Sequence, residues 1–190
     1  VLTIPDDLPD EKIKSDYHSV ADTFQLNPPA VAEDQLKQAA ALIQQAEKPI
    51  ALVGLGAKNA GTPVRTFLEK NHIPFIATMP AKGIIGDDHP NYLGNVGKLG
   101  TKPAYEAMHS ADLLLMLGTN YPYKPYLPEP GQAKCIQVDL NPEILGKRYP
   151  VDVAMEADVG QVITALNQQS PLRTDDRFLK ACQKSMTNWN

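Results

Sequence analysis

The stretch from Pro49 to Gly61 (PIALVGLGAKNAG) limits the folds open to this chain more than any other. Pro49 to Val53 read as a buried strand, Gly54 and Gly56 turn the chain, and a helical pattern follows. A strand that ends in glycines and opens a helix is how α/β folds present backbone N–H groups to a phosphate. The turn departs from the dinucleotide fingerprint, because Asn59 stands where the third glycine of G-x-G-x-x-G belongs. Gly61 comes two residues late, and the second strand ends without the acid that would hold an NAD ribose. These departures argue against a free-standing NAD-dependent enzyme. Taken alone, the motif is also open to a tight βα turn with no ligand.

The remaining pattern builds a sheet around that strand. Leu36, Ala40 and Ile43 give an amphipathic helix from Glu33 to Lys48, with Glu33 and Asp34 in its first turn, where the helix dipole favours acids. Val64, Phe67 and Leu68 mark a second helix over about Thr62 to Asn71, and Ile73 to Thr78 a second strand. Strand, helix, strand is a βαβ unit, which implies a parallel, right-handed crossover. The connection from Thr78 to Lys102 is long and holds five glycines. Loops of that length are functional or disordered. Pro103 to Ser110 reads as a helix and Leu113 to Leu117 as a strand with both faces covered. Gly118 to Lys134 is a second long loop. Strands follow at Cys135 to Asp139 and Val151 to Met155, then a helix with Asp158 at its N-cap.

The expectation is an α/β domain over residues 30–170: an open parallel sheet of five or six strands in a Rossmann-like, three-layer αβα arrangement. Residues 1–29, with four prolines and no sustained period, read as an interdomain linker. Residues 171–190 read as a linker and helix leading to a further C-terminal domain, with Phe178, Cys182 and Met186 packing outside this one. The start at Val1 and the stop in a helical pattern suggest a piece of a longer polypeptide. A net charge of −4 gives no electrostatic reason to expect nucleic acid. No apolar run reaches the ~18 residues of a membrane span. Two isolated cysteines, Cys135 and Cys182, suggest buried thiols in a reducing, cytoplasmic setting.

In an open parallel sheet, ligands bind at the carboxyl ends of the strands. Here those ends carry Gly54-Leu55-Gly56, Thr78 to Gly83, Gly118 to Pro122 and Asp139 to Pro142. Glycine lets a ligand approach the backbone, Thr and Asn donate and accept, and a strand-end Asp can accept from ribose hydroxyls. Together they fit a nucleotide-containing ligand. Asp139 is equally a solvated strand-end acid, and Lys82 and Lys98 are either phosphate contacts or exposed lysines. His18, His72, His89 and His109 lack metal spacing and read as surface or loop residues. No Ser/His/Asp or Cys/His arrangement stands out.

Five segments carry a family resemblance: Pro49 to Ala57, Thr78 to Gly83, Tyr92 to Gly94, Ala111 to Tyr123, and Gln137 to Lys147. In that order they resemble the central domain of thiamin-diphosphate-dependent enzymes, and among them the pyruvate oxidases. The resemblance implies a three-domain enzyme whose outer domains bind thiamin diphosphate and magnesium while this one binds extended FAD. It implies a homotetramer that converts pyruvate and phosphate, with oxygen, to acetyl phosphate, carbon dioxide and hydrogen peroxide. This piece alone would hold no catalytic residue.

Carried over by position, the FAD contacts implied are Gly54, Gly56 and Ala57 at the first strand, with Thr78, Pro80 and Lys82 by the ribityl chain or diphosphate. Gly94, Asn95 and Lys98 come from the long loop, and Gly118, Thr119, Asn120 and Tyr121 follow the flavin. Asp139 and Asn141 lie near the ribose, and Asp158 and Val159 near adenine. Departures separate the members. Acetolactate synthases carry Gly-Met-His-Gly and Arg-Phe-Asp-Asp-Arg segments where this chain has Gly94 to Gly97 and Asn120 to Tyr123. The quinone-linked pyruvate dehydrogenase shares the Gly118 to Tyr123 pattern and departs around Lys98 to Pro103. A flavin-free structural middle domain is the further alternative.

Overall fold

The computed structural model describes residues 28–189 and the single position 12. The linker expected over 1–29 thus lies almost wholly outside the described residues. The elements run α1 (Glu33–Gln45), β1 (Pro49–Val53), α2 (Gly61–Lys70), β2 (Phe75–Ala77), β3 (Tyr92–Asn95), α3 (Lys102–Ser110), β4 (Leu113–Leu117), β5 (Lys134–Asp139), β6 (Val153–Glu156), α4 (Val159–Gln169) and α5 (Arg177–Trp189).

All six strands are parallel, in the order β3-β2-β1-β4-β5-β6. Every residue of β1 and β4 is buried, which is what their unbroken apolar runs imply. Successive side chains point to opposite faces. Ala51, Val53, Leu113, Leu115 and Leu117 therefore face one core with α1, α2 and α4. Ile50, Leu52, Leu114 and Met116 face the other, with α3 and Cys182 of α5. The result is the expected three-layer α/β arrangement.

Local chemistry sets most boundaries. Asp158 caps α4 by accepting from Gln161 N–H at 3.0 Å, and Thr101 caps α3 by accepting from Ala104 N–H at 3.1 Å. α1 ends at Gln45, short of Lys48, for a tertiary reason. The Asp112 carboxylate accepts from the N–H groups of Glu47 at 2.8 Å and Lys48 at 2.9 Å, pulling them out of the helix.

Two further expectations differ from the structure. The connection from Thr78 to Lys102 contains β3, the edge strand beside β2. Only four residues long, and interrupted by Gly94 at φ +93°, it carries no readable period. Second, α5 lies against α3 and β3 of this domain, not outside it. Leu179 and Cys182 are buried, and Phe178 and Met186 pack on the same core.

Candidate functional site

The strand order reverses between β1 and β4, whose crossovers run to opposite sides, and a crevice opens at such a switch point. Gly54, Gly56 and Gly118 let the two strand ends meet there. Gly54 N–H donates to Leu117 O and Gly56 N–H to Gly118 O, each at 2.9 Å, and Ala57 N–H donates to Gly54 O at 3.0 Å. Gly118 sits at φ +65°, and a Cβ on it would lie 2.6 Å from Gly56 Cα. These glycines therefore serve backbone against backbone, and the three N–H groups are engaged within the protein. A short 3-10 turn, Leu55–Ala57, separates β1 from α2, so the glycines do not open the helix directly.

A cleft of about 650 Å³ lies on the β2–β3 side of the switch point, within the common size range of small-molecule sites. Each wall comes from a strand's carboxyl end: Leu55 after β1, Thr78 to Pro80 after β2, Val96 to Leu99 after β3, and Gly118 to Tyr123 after β4, with Tyr126 beyond. It brings together Thr78, Pro80, Lys98, Gly118, Thr119, Asn120 and Tyr121 of the expected contacts. Arg148 donates to Asn120 Oδ1 at 2.9 Å, leaving the Asn120 amide nitrogen as a donor. Buried Gln137 donates to Thr119 O at 3.3 Å and accepts from Gly146 N–H at 2.8 Å, tying the loops after β4 and β5 together. Tyr121 is buried, and that burial pushes its hydroxyl pKa up to about 12, with Tyr126 and Tyr123 adding to the shift.

The other expected contacts lie elsewhere. Lys82 pairs with Asp87 at 3.2 Å on the surface. Gly94 packs on Thr101, and Asn95 donates to Ala77 O at 3.0 Å, extending the pairing of β3 with β2. Asp139 accepts from Asn141 N–H at 3.0 Å, and Asn141 accepts from Glu143 N–H at 3.0 Å. Asp158 borders a separate groove with Asn59 and Gln161, and Val159 is core. His89, expected in a loop or at the surface, is buried in its loop, with Nε2 2.9 Å from Glu69 Oε1. Sequence reasoning missed the apolar lining: Leu55, Met79, Val96, Gly97, Leu99, Pro122, Tyr123 and Tyr126. The available signal was large apolar residues in the loops that follow strand ends. Leu55, Met79, Leu99 and Tyr123 are all more than half exposed and together line the cleft as an apolar patch.

Residues 36–166, from α1 through α4, match the family described as thiamine pyrophosphate enzyme, central domain. The chain belongs to this family. Among the relatives of this central domain is YdaP of Bacillus subtilis (strain 168), provisionally described as a thiamine pyrophosphate-containing protein. It is 42% identical over 189 residues, covering 100% of this chain and 33% of the relative. Pyruvate oxidase of Lactiplantibacillus plantarum is 33% identical over 194 residues, covering 100% of this chain and 32% of the relative. The large subunit of acetolactate synthase isozyme 1 from Escherichia coli (strain K12) is 34% identical over 144 residues, covering 73% of this chain and 25% of the relative. The central domain thus spans at most about a third of the length of these relatives.

The cleft suits a planar, largely apolar group better than a diphosphate. Its walls are largely leucine, methionine, valine and tyrosine, with Thr78, Thr119 and Asn120 as polar points and Lys98 as a cation at the rim. Among the described residues, its one buried side-chain polar atom without a partner is Tyr121 Oη. Among the described residues, no group of three or more His, Cys, Asp or Glu side chains could hold a metal ion, and no helix is long and apolar enough to cross a membrane.

Proposed function

We propose that this domain binds FAD as the middle part of a pyruvate oxidase. The observation that carries the reading is the apolar, tyrosine-lined cleft at the switch point, open at four strand ends and edged by a few hydrogen-bonding groups. Two features favour pyruvate oxidase over acetolactate synthase: the Asn120-Tyr121-Pro122-Tyr123 loop and the match to the Lactiplantibacillus pyruvate oxidase over the whole chain. When bound, FAD supplies a two-electron acceptor. The chain's own residues bind and orient it. Leu55, Met79 and Tyr123 exclude water from the ring, and Thr78, Thr119 and the Asn120 amide fix its edge. Gln137, holding Thr119 O, keeps that edge rigid.

In the same reading, residues 30–170 form the FAD domain and 171–190 lead onward to the next one, with α5 resting on α3 and β3. The full chain is a cytoplasmic homotetramer that carries thiamin diphosphate and magnesium in its flanking domains. Gly54, Gly56 and Ala57 contact FAD through atoms other than their engaged N–H groups. That engagement favours a second reading, a flavin-free middle domain that only holds its neighbours.

The absorbance of the purified full-length protein separates the two. The FAD reading expects flavin bands and stoichiometric FAD on denaturation. A colourless protein that takes up no FAD on titration overturns it and supports the structural role. If flavin is present, peroxide and acetyl phosphate formed from pyruvate and phosphate mark the oxidase, whereas acetolactate marks the synthase.

A further inference from the structure

Among the described residues, two buried side-chain polar atoms lack a hydrogen-bond partner, Asn167 Oδ1 and Tyr121 Oη, and only Tyr121 belongs to the cleft. Its ring is 7% exposed and stands edge-on to Tyr123 at a centroid distance of 5.4 Å. A phenol shielded from water and left unpaired is less stable than a phenyl ring of the same shape would be. Native structures keep few such groups, and each one calls for an explanation. A phenol keeps its proton at neutral pH and can act as a donor.

Gly97, which opens the turn that ends at Gly100, stands beside the hydroxyl. A Cβ on Gly97 would lie 3.1 Å from Tyr121 Oη. The turn is closed by Gly100 N–H to Gly97 O at 2.9 Å and tied to the end of β3 by Thr101 N–H to Asn95 O at 3.2 Å. Gly97 adopts φ +118°, a conformation that side-chain-bearing residues rarely take. At the tip stands Leu99, 84% exposed on the rim of an apolar cleft. The apolar tip has a surface to gain when a ring fills the cleft.

We infer that Tyr121 is the specificity-determining donor of this cleft: the Gly97–Gly100 turn shifts as a planar ring enters, and the phenol donates to a carbonyl or ring-nitrogen acceptor on that ring. The inference rests on the flavin reading above and sharpens it. The cleft selects a heteroaromatic ring with an acceptor at its edge, because an acceptor-free ring would leave the phenol buried and unpaired. A site built to pair a buried polar group discriminates against ligands that cannot pair it.

The test uses the full-length protein, freed of flavin, with Tyr121 and with Tyr121→Phe. FAD is titrated by flavin fluorescence, the bound absorption spectrum is recorded, and thermal unfolding is measured without FAD. Tyr121→Phe is expected to unfold at the same or a higher temperature without FAD and to bind FAD about 3- to 10-fold more weakly. Its bound flavin band is expected to move relative to wild type. Equal FAD affinity in the two proteins overturns the inference and leaves the flavin reading standing. A lower unfolding temperature for the flavin-free variant also overturns it, because the hydroxyl would then already have a partner inside the protein. Failure of the wild type to bind FAD removes the flavin reading itself, and the inference with it.

Discussion

Arg173 is the side chain whose removal should cost this domain most for the least change in shape. It lies between α4 and α5, is 2% exposed, and reaches across the ends of two other helices. Its guanidinium donates to Ala46 O and Glu47 O at 3.1 Å each, just past α1, and to Asn71 O at 3.4 Å, just past α2. It also donates to Asp175 O, and its own N–H donates to Asn71 Oδ1 at 3.1 Å. One cation thus serves the carboxyl ends of α1 and α2, where helix dipoles favour positive charge. Burial pulls its pKa below the ordinary guanidinium value, opposed by Asp175, so desolvation offsets part of the gain.

Replacing Arg173 with Met keeps the stem and removes the fork. Asn71 O is left in a buried setting, while Ala46 and Glu47 are exposed enough for water to replace the lost bonds. Asp175 keeps Arg177 at 2.8 Å and is not stranded. Combining charged hydrogen bonds with two helix ends, less the relieved desolvation, gives a loss of about 2–4 kcal/mol. Urea unfolding followed by far-UV circular dichroism reads it as a lower midpoint at unchanged slope. Arg177→Ala is the control: it pairs with the same Asp175 but is exposed, and should leave the midpoint unmoved. A loss below about 1 kcal/mol for Arg173→Met, or equal losses for both variants, would refute the claim that bridging and burial set the cost.

Gly118→Ala should destabilise by about 2–5 kcal/mol, from the left-handed backbone and the clash with Gly56 together. Gly131→Ala, also at positive φ but with open space around it, should lose only about 1–2 kcal/mol by thermal unfolding. For Asp152, burial pushes the carboxyl pKa up, but Lys134 and the Cys135 N–H outweigh it and hold it below the ordinary value. Its stabilisation is therefore present above the unfolded carboxylate pKa of about 3.9 and is lost as pH falls through the lower folded value. Urea midpoints from pH 7 to 3 should fall less steeply in Asp152→Asn. Burial raises both thiols, Cys182 to about 12 and Cys135 further, so neither should be alkylated at pH 8 until the protein unfolds. Rapid labelling of either in the folded state would contradict its burial.

Local pattern alone determined much of this protein. Apolar runs marked β1, β4 and β5, helical spacing marked α1, α2 and α4, and Asp158 announced its own cap, because periodicity and capping act within a few residues. The parallel, doubly covered sheet and the placement of ligand-facing loops at strand ends followed from those elements. Tertiary structure decided what depends on distant partners. Tyr92 to Asn95 became a strand only by pairing with Phe75 and Ala77. The amphipathic stripe of α5 did not say which surface it would cover, and the structure puts it on α3 and β3. The glycines of the Pro49–Gly61 stretch were ambiguous for a deeper reason. Close approach of a phosphate and close approach of another backbone require the same residue, and only the fold shows Gly118 packed against Gly54 and Gly56. The tyrosine and leucine lining of the cleft was hidden likewise, since an apolar side chain reads as core until the fold shows it left exposed among the described residues, as with Leu55, Leu99 and Tyr123.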